Sequence, residues 1–168
     1  MAHPVSVRLA AKDHDLEFLS ALARDPAVAP FLAPGRGESD ALRELLSQGD
    51  ADPYGLYVIE VPQGDRLGGL ALTKAARTSP ICAISHLMVR PDVRRSGIAL
   101  AAVRLAAQMA LVEHGLHRIE AQVYADNLAG QRLFERSGFK QEGIRRRAYW
   151  RRGQWLDGVL YGLLDDEL

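Results

Sequence analysis

The sequence predicts an α+β (mixed α/β) fold in which a mostly antiparallel sheet contains one parallel crossover. Three observations support this class. Three strand-like runs with short connections lie within residues 54–89. A strand, an apolar helix and another strand then follow one another over about 40 residues, the length of a crossover unit. Two further strand-like runs, residues 139–147 and 154–164, close the chain and predict an antiparallel hairpin.

The first fifty residues predict one strand and two helices. Residues 5–9 alternate between apolar and polar side chains, as a half-buried strand does. Asp13 is a predicted N-cap for the first helix, because its carboxylate can accept hydrogen bonds from the first free amides. The apolar positions of that helix are Leu16, Leu19 and Leu22. Ser39 is a predicted cap for a second helix over about 40–48, and residues 33–37 before it predict a loop.

The centre of the chain predicts three strands. Residues 54–61 are a strong strand candidate, and the turn residues 62–65 reverse the chain into a second strand over 66–74. Gly68-Gly69 inside that second strand predicts a bulge or a close approach of two backbones. Residues 81–89 predict the third strand of this block.

A long apolar helix and a further strand complete the crossover. The helix follows Gly97 and ends at Gly115. Its few polar residues indicate that most of its circumference is covered, and they are Arg104, Gln108 and Glu113. Residues 117–124 predict the next strand. Strands joined by a helical crossover are expected to be parallel, with a right-handed connection.

The last forty residues predict a short helix and a hairpin. Asp126 or Asn127 starts the helix, which stops at Gly138. The strands at 139–147 and 154–164 then pair with each other. Counted with the elements above, the chain predicts about seven strands and about four helices.

The composition excludes several classes of protein. A chain of 168 residues is most simply one domain, 1–168. Its 21 basic residues balance its 21 acidic residues, so no net charge attracts the protein to nucleic acid or to an anionic membrane. Cys82 is the only cysteine, so no intrachain disulfide is expected, and its apolar neighbours predict a buried structural thiol. The N-terminus lacks a signal-peptide pattern, and no apolar run reaches the ~18 residues of a membrane span. A cytoplasmic protein is therefore expected.

The six residues before and into the crossover helix predict a phosphate site. A strand that ends in a tight turn of small residues before a helix leaves several N–H groups unpaired and pointing one way. The helix dipole behind them attracts an anion, and two arginines at the mouth add charged donors. The residues are Arg94, Arg95, Ser96, Gly97, Ile98 and Ala99.

Two motifs and the tail resemble one family. Arg94-x-x-Gly97-x-Ala99 is similar to the acetyl-coenzyme A motif, Gln/Arg-x-x-Gly-x-Gly/Ala, of the GNAT family of N-acetyltransferases. Residues 127–139 look like that family's second signature, an Asn followed by a helix and then Gly-Phe. Residues 142–143 and 153–157 resemble its RimJ/RimL-like branch. The resemblance covers about residues 5–164, and it implies the GNAT fold with a twisted central sheet and an acetyltransferase activity.

The resemblance also implies how the coenzyme is held. Three residues of one strand would pair through their backbones with the pantetheine arm: Leu87, Met88 and Val89. The amides of residues 95–99 would hold the pyrophosphate, with both arginine side chains nearby. Asn127 would hydrogen-bond the pantetheine, and Phe134 would line the thiol end. Helical spacing adds that Asn127, Gln131 and Phe134 share one face of their helix.

The implied reaction moves an acetyl group from a thioester to an amine. The amine must arrive neutral, so a base or a chain of waters has to remove a proton, and Ser85 is a candidate member of that relay. Strand alternation places His86 with Ile84 and Met88, and the resemblance implies that the opposite face looks toward the acceptor. His86 is therefore the less favoured base, and a hydrogen-bonded sheet histidine is predicted. A strand N–H near Leu87 or Met88 is a natural donor to the oxyanion.

The group that protonates the leaving thiolate is not evident. Many members of the family carry a tyrosine where this chain has Phe134, which has no proton to give. The RimJ/RimL-like branch often has a serine where this chain has Gly130. Direct attack with water as the proton acceptor stays open, as does a tyrosine from another element, either Tyr124 or Tyr149.

Several alternatives stay open. The acceptor is a protein N-terminus, an amino acid, a polyamine or an amine-bearing small molecule such as an antibiotic, and the donor is acetyl-coenzyme A or another acyl-coenzyme A such as succinyl-coenzyme A. A non-catalytic coenzyme A sensor is the alternative outside enzymes. Arginines interleaved with aromatic residues at 145–155 would suit RNA, a less favoured partner. No metal site is expected, and a homodimer is compatible with the resemblance.

Overall fold

The computed structural model describes residues 4–11, 14–32, 38–47 and 53–168. Its α-helices are α1 (His14–Ala23), α2 (Glu38–Ser47), α3 (Ile98–Gln108) and α4 (Leu128–Arg136). Its strands are β1 (Ser6–Leu9), β2 (Gly55–Glu60), β3 (Arg66–Lys74), β4 (Ile81–Val89), β5 (Arg118–Tyr124), β6 (Lys140–Arg151) and β7 (Gln154–Leu164). Short 3₁₀ turns occupy Ala29–Phe31, Pro91–Val93 and Asp165–Glu167, and a π-helical turn, Met109–Glu113, continues α3.

The strands in the described ranges form one sheet in the order β1-β2-β3-β4-β5-β7-β6. β4 and β5 are parallel, and every other neighbouring pair is antiparallel. Along the chain, α3 connects β4 to β5, because a short turn cannot join two parallel strands that are neighbours in the sheet. This arrangement confirms the predicted α+β class with its single parallel crossover.

The two faces of the sheet pack against different helices. Leu56 and Val58 of β2 belong to a cluster with residues of α1 and α2, whereas Tyr57 and Ile59 belong to a cluster on the α3 side. Successive residues of β2 therefore point to opposite cores, which is why the strand is apolar throughout. Cys82 is fully buried in the α3-side cluster, and burial raises the pKa of its thiol to about 12, so the predicted structural thiol is confirmed.

Several strands begin or end one residue from their predicted limits, and three elements differ by more. α2 begins at Glu38, so Ser39 lies inside the helix; Glu, Ser and Asp all favour a helix start, and the sequence alone does not decide among them. β6 runs on to Arg151, because its pairing with β7 resumes at Tyr149 after an irregularity. α3 becomes π-helical at Met109 before the chain reaches Gly115. The predicted cap Asp13, the loop at 33–37 and the helix end at 48 lie outside the described residues.

β3 and β4 approach each other very closely at Gly68. A Cβ built on Gly68 would overlap the carbonyl oxygen of Met88, so no larger residue fits without moving a strand. Gly69 pairs with Met88 and Ala71 pairs with Ser85, so β4 has one residue more than β3 between these two pairs. Of the two alternatives predicted for Gly68-Gly69, the close approach of two backbones is confirmed, and the bulge beside it has its extra residue on β4.

A buried carboxylate ties α1 to the sheet. The side chain of Asp15, in the first turn of α1, is only 4% exposed. It accepts hydrogen bonds from Arg8 Nη1 at 2.6 Å, from the amide of Ala11 at 2.8 Å and from Arg66 Nη1 at 3.4 Å. Burial raises the pKa of Asp15, but these hydrogen bonds outweigh burial, and the net pKa lies below its ordinary value.

We expect Asp15 to make the fold sensitive to acid. A carboxyl whose pKa is depressed by folding stabilises the fold above its unfolded pKa of about 3.9, and this contribution is lost as the pH falls through the folded value. Asp15→Asn should lower the free energy of unfolding by about 1–3 kcal/mol at pH 7 and by less at pH 3, as measured by urea titration.

The control for this prediction is Asp40→Asn. Asp40 pairs with Arg43 on the surface of α2, where both side chains are more than half exposed. Exposed pairs of this kind contribute less than about 0.5 kcal/mol. An equal loss of stability at both pH values for Asp15→Asn would contradict the prediction.

Candidate active site

A cleft opens in the sheet where β4 and β5 diverge. Their parallel pairing ends at Ile84 and Ala121, although β4 continues to Val89 and β5 to Tyr124. A cavity of about 630 Å³ occupies this divergence, a size typical of sites for small molecules and cofactors. The two strand edges that face the cavity carry backbone N–H and C=O groups that are not paired with each other.

The extra residue of β4 distorts the strand beside this cavity. His86 has a φ of 49°, in the left-handed region that residues other than glycine rarely adopt. The bulge breaks the alternation of side chains, so that Ile84 packs on the α3 side and Met88 on the α1–α2 side. The prediction that His86 shares a face with both Ile84 and Met88 is therefore wrong, because it presumed a regular strand.

Ser85 and His86 form a hydrogen-bonded pair in the wall of the cavity. Ser85, His86 and Leu87 all line it. Ser85 Oγ lies 3.0 Å from His86 Nδ1, and burial lowers the pKa of the imidazole. A neutral imidazole has one N–H and one lone pair, so it can give a proton at one nitrogen and take one at the other. The pair can therefore pass a proton along the cavity wall.

The loop between β4 and α3 presents a row of free amides. Arg95 and Gly97 have φ values of 63° and 85°, so the backbone turns left-handed twice before α3 begins. Ser96 Oγ donates to the carbonyl of Val93 at 2.6 Å and holds the turn. In the part of the chain that the structure describes, the amides of residues 95–100 have no backbone acceptor. Such amides at a helix N-terminus form a concavity that suits an anion.

The two arginines of this loop have different environments. Arg94 Nη2 donates to the carbonyl of Ala27 at 3.0 Å and its Nε donates to the carbonyl of Val89 at 3.4 Å. Its guanidinium therefore fastens the loop to the segment after α1. Arg95 is exposed and makes no hydrogen bond or ion pair to other described residues. All the side-chain donors of Arg95 are thus available to an anion.

The start of α4 forms another wall of the cavity. Asn127 caps the helix, because its Oδ1 accepts from the amide of Gly130 at 2.9 Å. A Cβ on Gly130 would lie 2.7 Å from Asn127 Nδ2, so a serine there would displace the cap. Asn127, Gly130 and Phe134 line the cavity. Gln131 does not, since its Nε2 donates to the carbonyl of Ala125 at 2.8 Å, and of the shared helix face only two side chains reach the site.

Phe134 belongs to a buried aromatic group. Its ring meets Phe139 edge to face, with centroids 5.1 Å apart, and stacks on Tyr161 with centroids 6.0 Å apart. Tyr161 also lines the cavity, but its hydroxyl donates to Glu135 Oε1 at 3.2 Å, and burial raises its pKa to about 12. Its position in the apolar run of β7 is typical of core residues, so the sequence carries no signal for this placement.

Two other tyrosines stand together in the cavity. Tyr124 and Tyr149 meet edge to face, with centroids 5.3 Å apart. Burial raises the pKa of Tyr124, so the phenol keeps its proton at neutral pH. The hydroxyl oxygen of Tyr149 accepts from Arg145 Nη1 at 2.9 Å, which leaves the hydroxyl hydrogen free for donation. The structure thus brings together the two tyrosines that the sequence singled out.

Charged residues with no motif of their own line the same cavity. Arg118 Nε donates to Glu120 Oε1 at 2.9 Å, its Nη1 donates to Glu142 Oε1 at 2.6 Å, and its Nη2 also pairs with Glu142. Glu142 is the extra residue of a bulge in β6, between Gln141 and Gly143. A bulge turns a side chain out of the strand's alternation. Sequence periodicity therefore cannot reveal that Glu142 meets Arg118.

A comparison over most of the chain decides the family. Residues 6–140 match the family model described as "Acetyltransferase (GNAT) domain". The chain belongs to the GNAT family. A relative named "Probable N-acetyltransferase YjcK", from Bacillus subtilis (strain 168), is 44% identical over 128 residues, which are 74% of this chain and 69% of that protein. The family resemblance of the sequence motifs is confirmed, and this GNAT protein is an N-acetyltransferase.

Another relative is similar to part of the chain, and solved structures are similar to nearly all of it. "Uncharacterized N-acetyltransferase YnaD" from B. subtilis is 26% identical over 77 residues, 46% of this chain and 45% of that protein. A structure of spermidine N-acetyltransferase from Vibrio cholerae in complex with CoA and spermine has a TM-score of 0.84 at 20% identity, over 97% of this chain and 96% of that chain. An acetyltransferase (GNAT family) from Bacillus anthracis has a TM-score of 0.82 at 20% identity, over 99% and 98%. At such identity the two structures establish the shared fold.

In the described ranges of this GNAT protein, no helix has both the length and the apolarity that a bilayer crossing requires. They also contain no group of three His, Cys, Asp or Glu side chains placed to share a metal ion. The described cavity is lined instead by aromatic rings, hydroxyl groups and paired charges.

Proposed function

We propose that this GNAT protein transfers the acetyl group of acetyl-coenzyme A to a primary amine. One observation carries the proposal: β4, which forms one side of the cleft, leads directly into the loop of free amides. An extended ligand with amide groups along its arm and a diphosphate at one end has the chemistry that both features require. The diphosphate would take the loop, and the thioester would lie in the cleft.

In this proposal the coenzyme is held mostly by the backbone. The edge of β4 that faces the cleft would pair with the pantetheine arm as an added strand would. Residues 95–99 would hold the diphosphate, with Arg95 beside it and Arg94 keeping the loop in place. Asn127 would reach the arm from the start of α4, and Phe134 would cover the thiol end. The paired residues of β4 would be Leu87, Met88 and Val89.

The proposed reaction forms a C–N bond and breaks a C–S bond. The amine nitrogen attacks the thioester carbonyl, the oxyanion accepts a hydrogen bond from a β4 amide near Leu87 or Met88, and the thiolate leaves. The proton lost by the amine passes to water or to the Ser85–His86 pair. A proton for the thiolate comes from Tyr149 or Tyr124, because neither Phe134 nor Gly130 has one to give.

The proposed acceptor class is a primary amine. Residues 142–143 and 153–157 support the RimJ/RimL-like branch, which includes acetyltransferases of ribosomal-protein N-termini and of small amines. The V. cholerae spermidine acetyltransferase was solved with spermine, a polyamine with primary amines at both ends, so that polyamines belong to the same acceptor class. We propose that the protein works in the cytoplasm, with a homodimer as its assembly.

Mass spectrometry tests the activity. Incubation with acetyl-coenzyme A and a panel of primary amines should yield products that are heavier by one acetyl group. Succinyl-coenzyme A in the same assay tests the choice of donor. If coenzyme A binds and no amine in the panel gains a group, the catalytic proposal fails in favour of a coenzyme A sensor.

We expect Tyr149 to be the proton donor to the thiolate. Its hydroxyl oxygen is fixed by Arg145, whereas the described residues offer the hydroxyl of Tyr124 no such bond. Tyr149→Phe should lower kcat about 10²-fold, the effect of removing a general acid. Tyr124→Phe is the matched control, because the two rings share one edge-to-face contact, and it should lower kcat less than about 10-fold. If kcat falls only slightly in both variants, the proton that reaches the thiolate comes from water and not from a tyrosine.

A further inference from the structure

The carboxylates in the cavity wall are already engaged by a cation of the protein. Glu120 and Glu142 both accept hydrogen bonds from Arg118, at 2.9 Å and 2.6 Å. The Arg118 contact holds the pKa of Glu142 below its usual range. A Cβ on Gly162 would lie within 2.5 Å of both Arg118 and Glu142, so β7 leaves space for this pair. Neither carboxylate depends on a ligand for a positive partner.

Arg145, in the same wall, is held in place without a counter-ion. Its Nη1 donates to Gln122 Oε1 at 3.2 Å and to the Tyr149 hydroxyl at 2.9 Å. Its guanidinium lies 5.7 Å from the centroid of the Tyr149 ring. All of these partners are neutral, and no described carboxylate is within ion-pair distance. They fix the guanidinium in the cavity and leave its charge, its Nε and its Nη2 available.

Arg151 adds positive charge beside the same aromatic pair. Its guanidinium lies 5.5 Å from the centroid of the Tyr124 ring, and its Nη2 is 3.4 Å from the carbonyls of Ala29 and Pro30. Its Nε is buried and has no hydrogen-bond partner among the described residues. Asp126, the acid near Tyr124, is paired with Arg152. The two tyrosines are therefore flanked by two arginines that have no carboxylate partner among the described residues.

We infer that the acceptor carries an anionic group close to its amine, and that Arg145 binds this group and so determines acceptor specificity. The inference rests on the proposed function and narrows it. A carboxylate or phosphate would meet the free Nε and Nη2 of Arg145 with two oxygens. A polyamine is disfavoured, because it would bring a second ammonium group toward Arg145 and Arg151. The acidic side chains that could bind this ammonium group are already paired with Arg118.

Matched pairs of amines test the inference. Lysine and cadaverine share a carbon chain and differ by one carboxylate, as do ornithine and putrescine, and phosphoethanolamine differs from ethanolamine by a phosphate. We expect the anionic member to have about 10- to 100-fold higher kcat/KM, the effect of one charge-assisted contact. A preference that is confined to the carboxylate pairs, or to the phosphate pair, shows which anionic group Arg145 binds. A preference for cadaverine, putrescine or spermidine overturns the inference.

Variants at Arg145 test its role as the specificity residue. Arg145→Gln should reduce the preference for the anionic member to less than about 3-fold, while Arg145→Lys should restore part of it. Because Arg145 also fixes the Tyr149 hydroxyl, kcat should fall for both members of a pair, and the change in the ratio of their kcat/KM values is the readout. Arg146→Gln, one residue along in the exposed bulge, is the matched control and should leave the preference unchanged. A merely structural role for Arg145 would lower kcat/KM for both members of a pair alike.

The outcomes separate this inference from the proposed function. An active enzyme that prefers the cationic amines, or whose preference is unchanged in Arg145→Gln, overturns the inference alone. A protein that binds coenzyme A and acetylates neither these amines nor any other amine of the wider panel overturns the proposed function and the inference with it.

Discussion

Gly97→Glu should weaken coenzyme A binding about 10³-fold and leave the fold intact. The substitution places a carboxylate among the amides of residues 95–100, where the diphosphate is proposed to lie. Two like charges at ~4 Å repel by about 4 kcal/mol at an effective dielectric constant near 20, which corresponds to that loss of affinity. A Cβ on Gly97 meets nothing within 4 Å, so the side chain itself causes no clash. Calorimetry with coenzyme A measures the effect.

Two variants separate charge from backbone strain at Gly97. Its φ of 85° penalises any side chain by about 1–2 kcal/mol, and Gly97→Gln has this cost without the charge. Gly64→Glu adds the same charge at a comparable φ of 87°, also with open space around the Cβ, in the turn between β2 and β3. Both should retain most of the affinity. Coenzyme A binding by Gly97→Glu equal to that of Gly97→Gln would refute the placement of the diphosphate.

Gly68→Ala should have the largest effect on stability among single methyl additions in this sheet. The new Cβ would overlap the main-chain oxygen of Met88, which cannot rotate away as a side chain would. Either β3 and β4 separate or their pairing breaks, at a cost of about 3 kcal/mol. Because Met88 follows the bulge at His86, the same movement would also alter the edge of β4 that lines the cleft. Urea unfolding measures the loss of stability.

Gly143→Ala is the control for this prediction. Gly143 also lies in a strand next to a bulge, but a Cβ there meets nothing within 4 Å. It should change the free energy of unfolding by less than about 1 kcal/mol, since alanine also reduces the freedom of the unfolded chain. Similar unfolding midpoints for the two variants would show that β3 and β4 tolerate separation at Gly68.

Much of the fold could be predicted from the sequence because its central strands have clear limits. β3 and β4 have the predicted limits, Arg66–Lys74 and Ile81–Val89, since each is an apolar run between clear turn residues. The parallel pairing of β4 with β5 follows from the helix between them. The row of amides at residues 95–99 was also predictable, because a glycine before a helix marks both the left-handed turn and the helix start.

The walls of the site could not be predicted, because bulges shape them. One extra residue in β4 gives His86 its left-handed φ, and another in β6 turns Glu142 toward Arg118. A third irregularity follows Arg145, between its pairing with Gly158 and that of Tyr149 with Leu156. Each breaks the two-residue alternation on which strand predictions depend. Side chains from distant parts of the chain therefore meet in ways that local spacing does not encode.

The position of β6 at the end of the sheet has a consequence for self-association. Its outer edge, twelve residues long, has no neighbouring strand among the described residues. An open edge of this length is a template on which a second copy could add its own strand, a common first step in aggregation. Arg145, Arg146, Arg147 and Arg151 lie along it. If the β6 edges of two copies paired, their arginines would lie close together and repel each other. The same arginines therefore disfavour pairing between the sheets of two molecules.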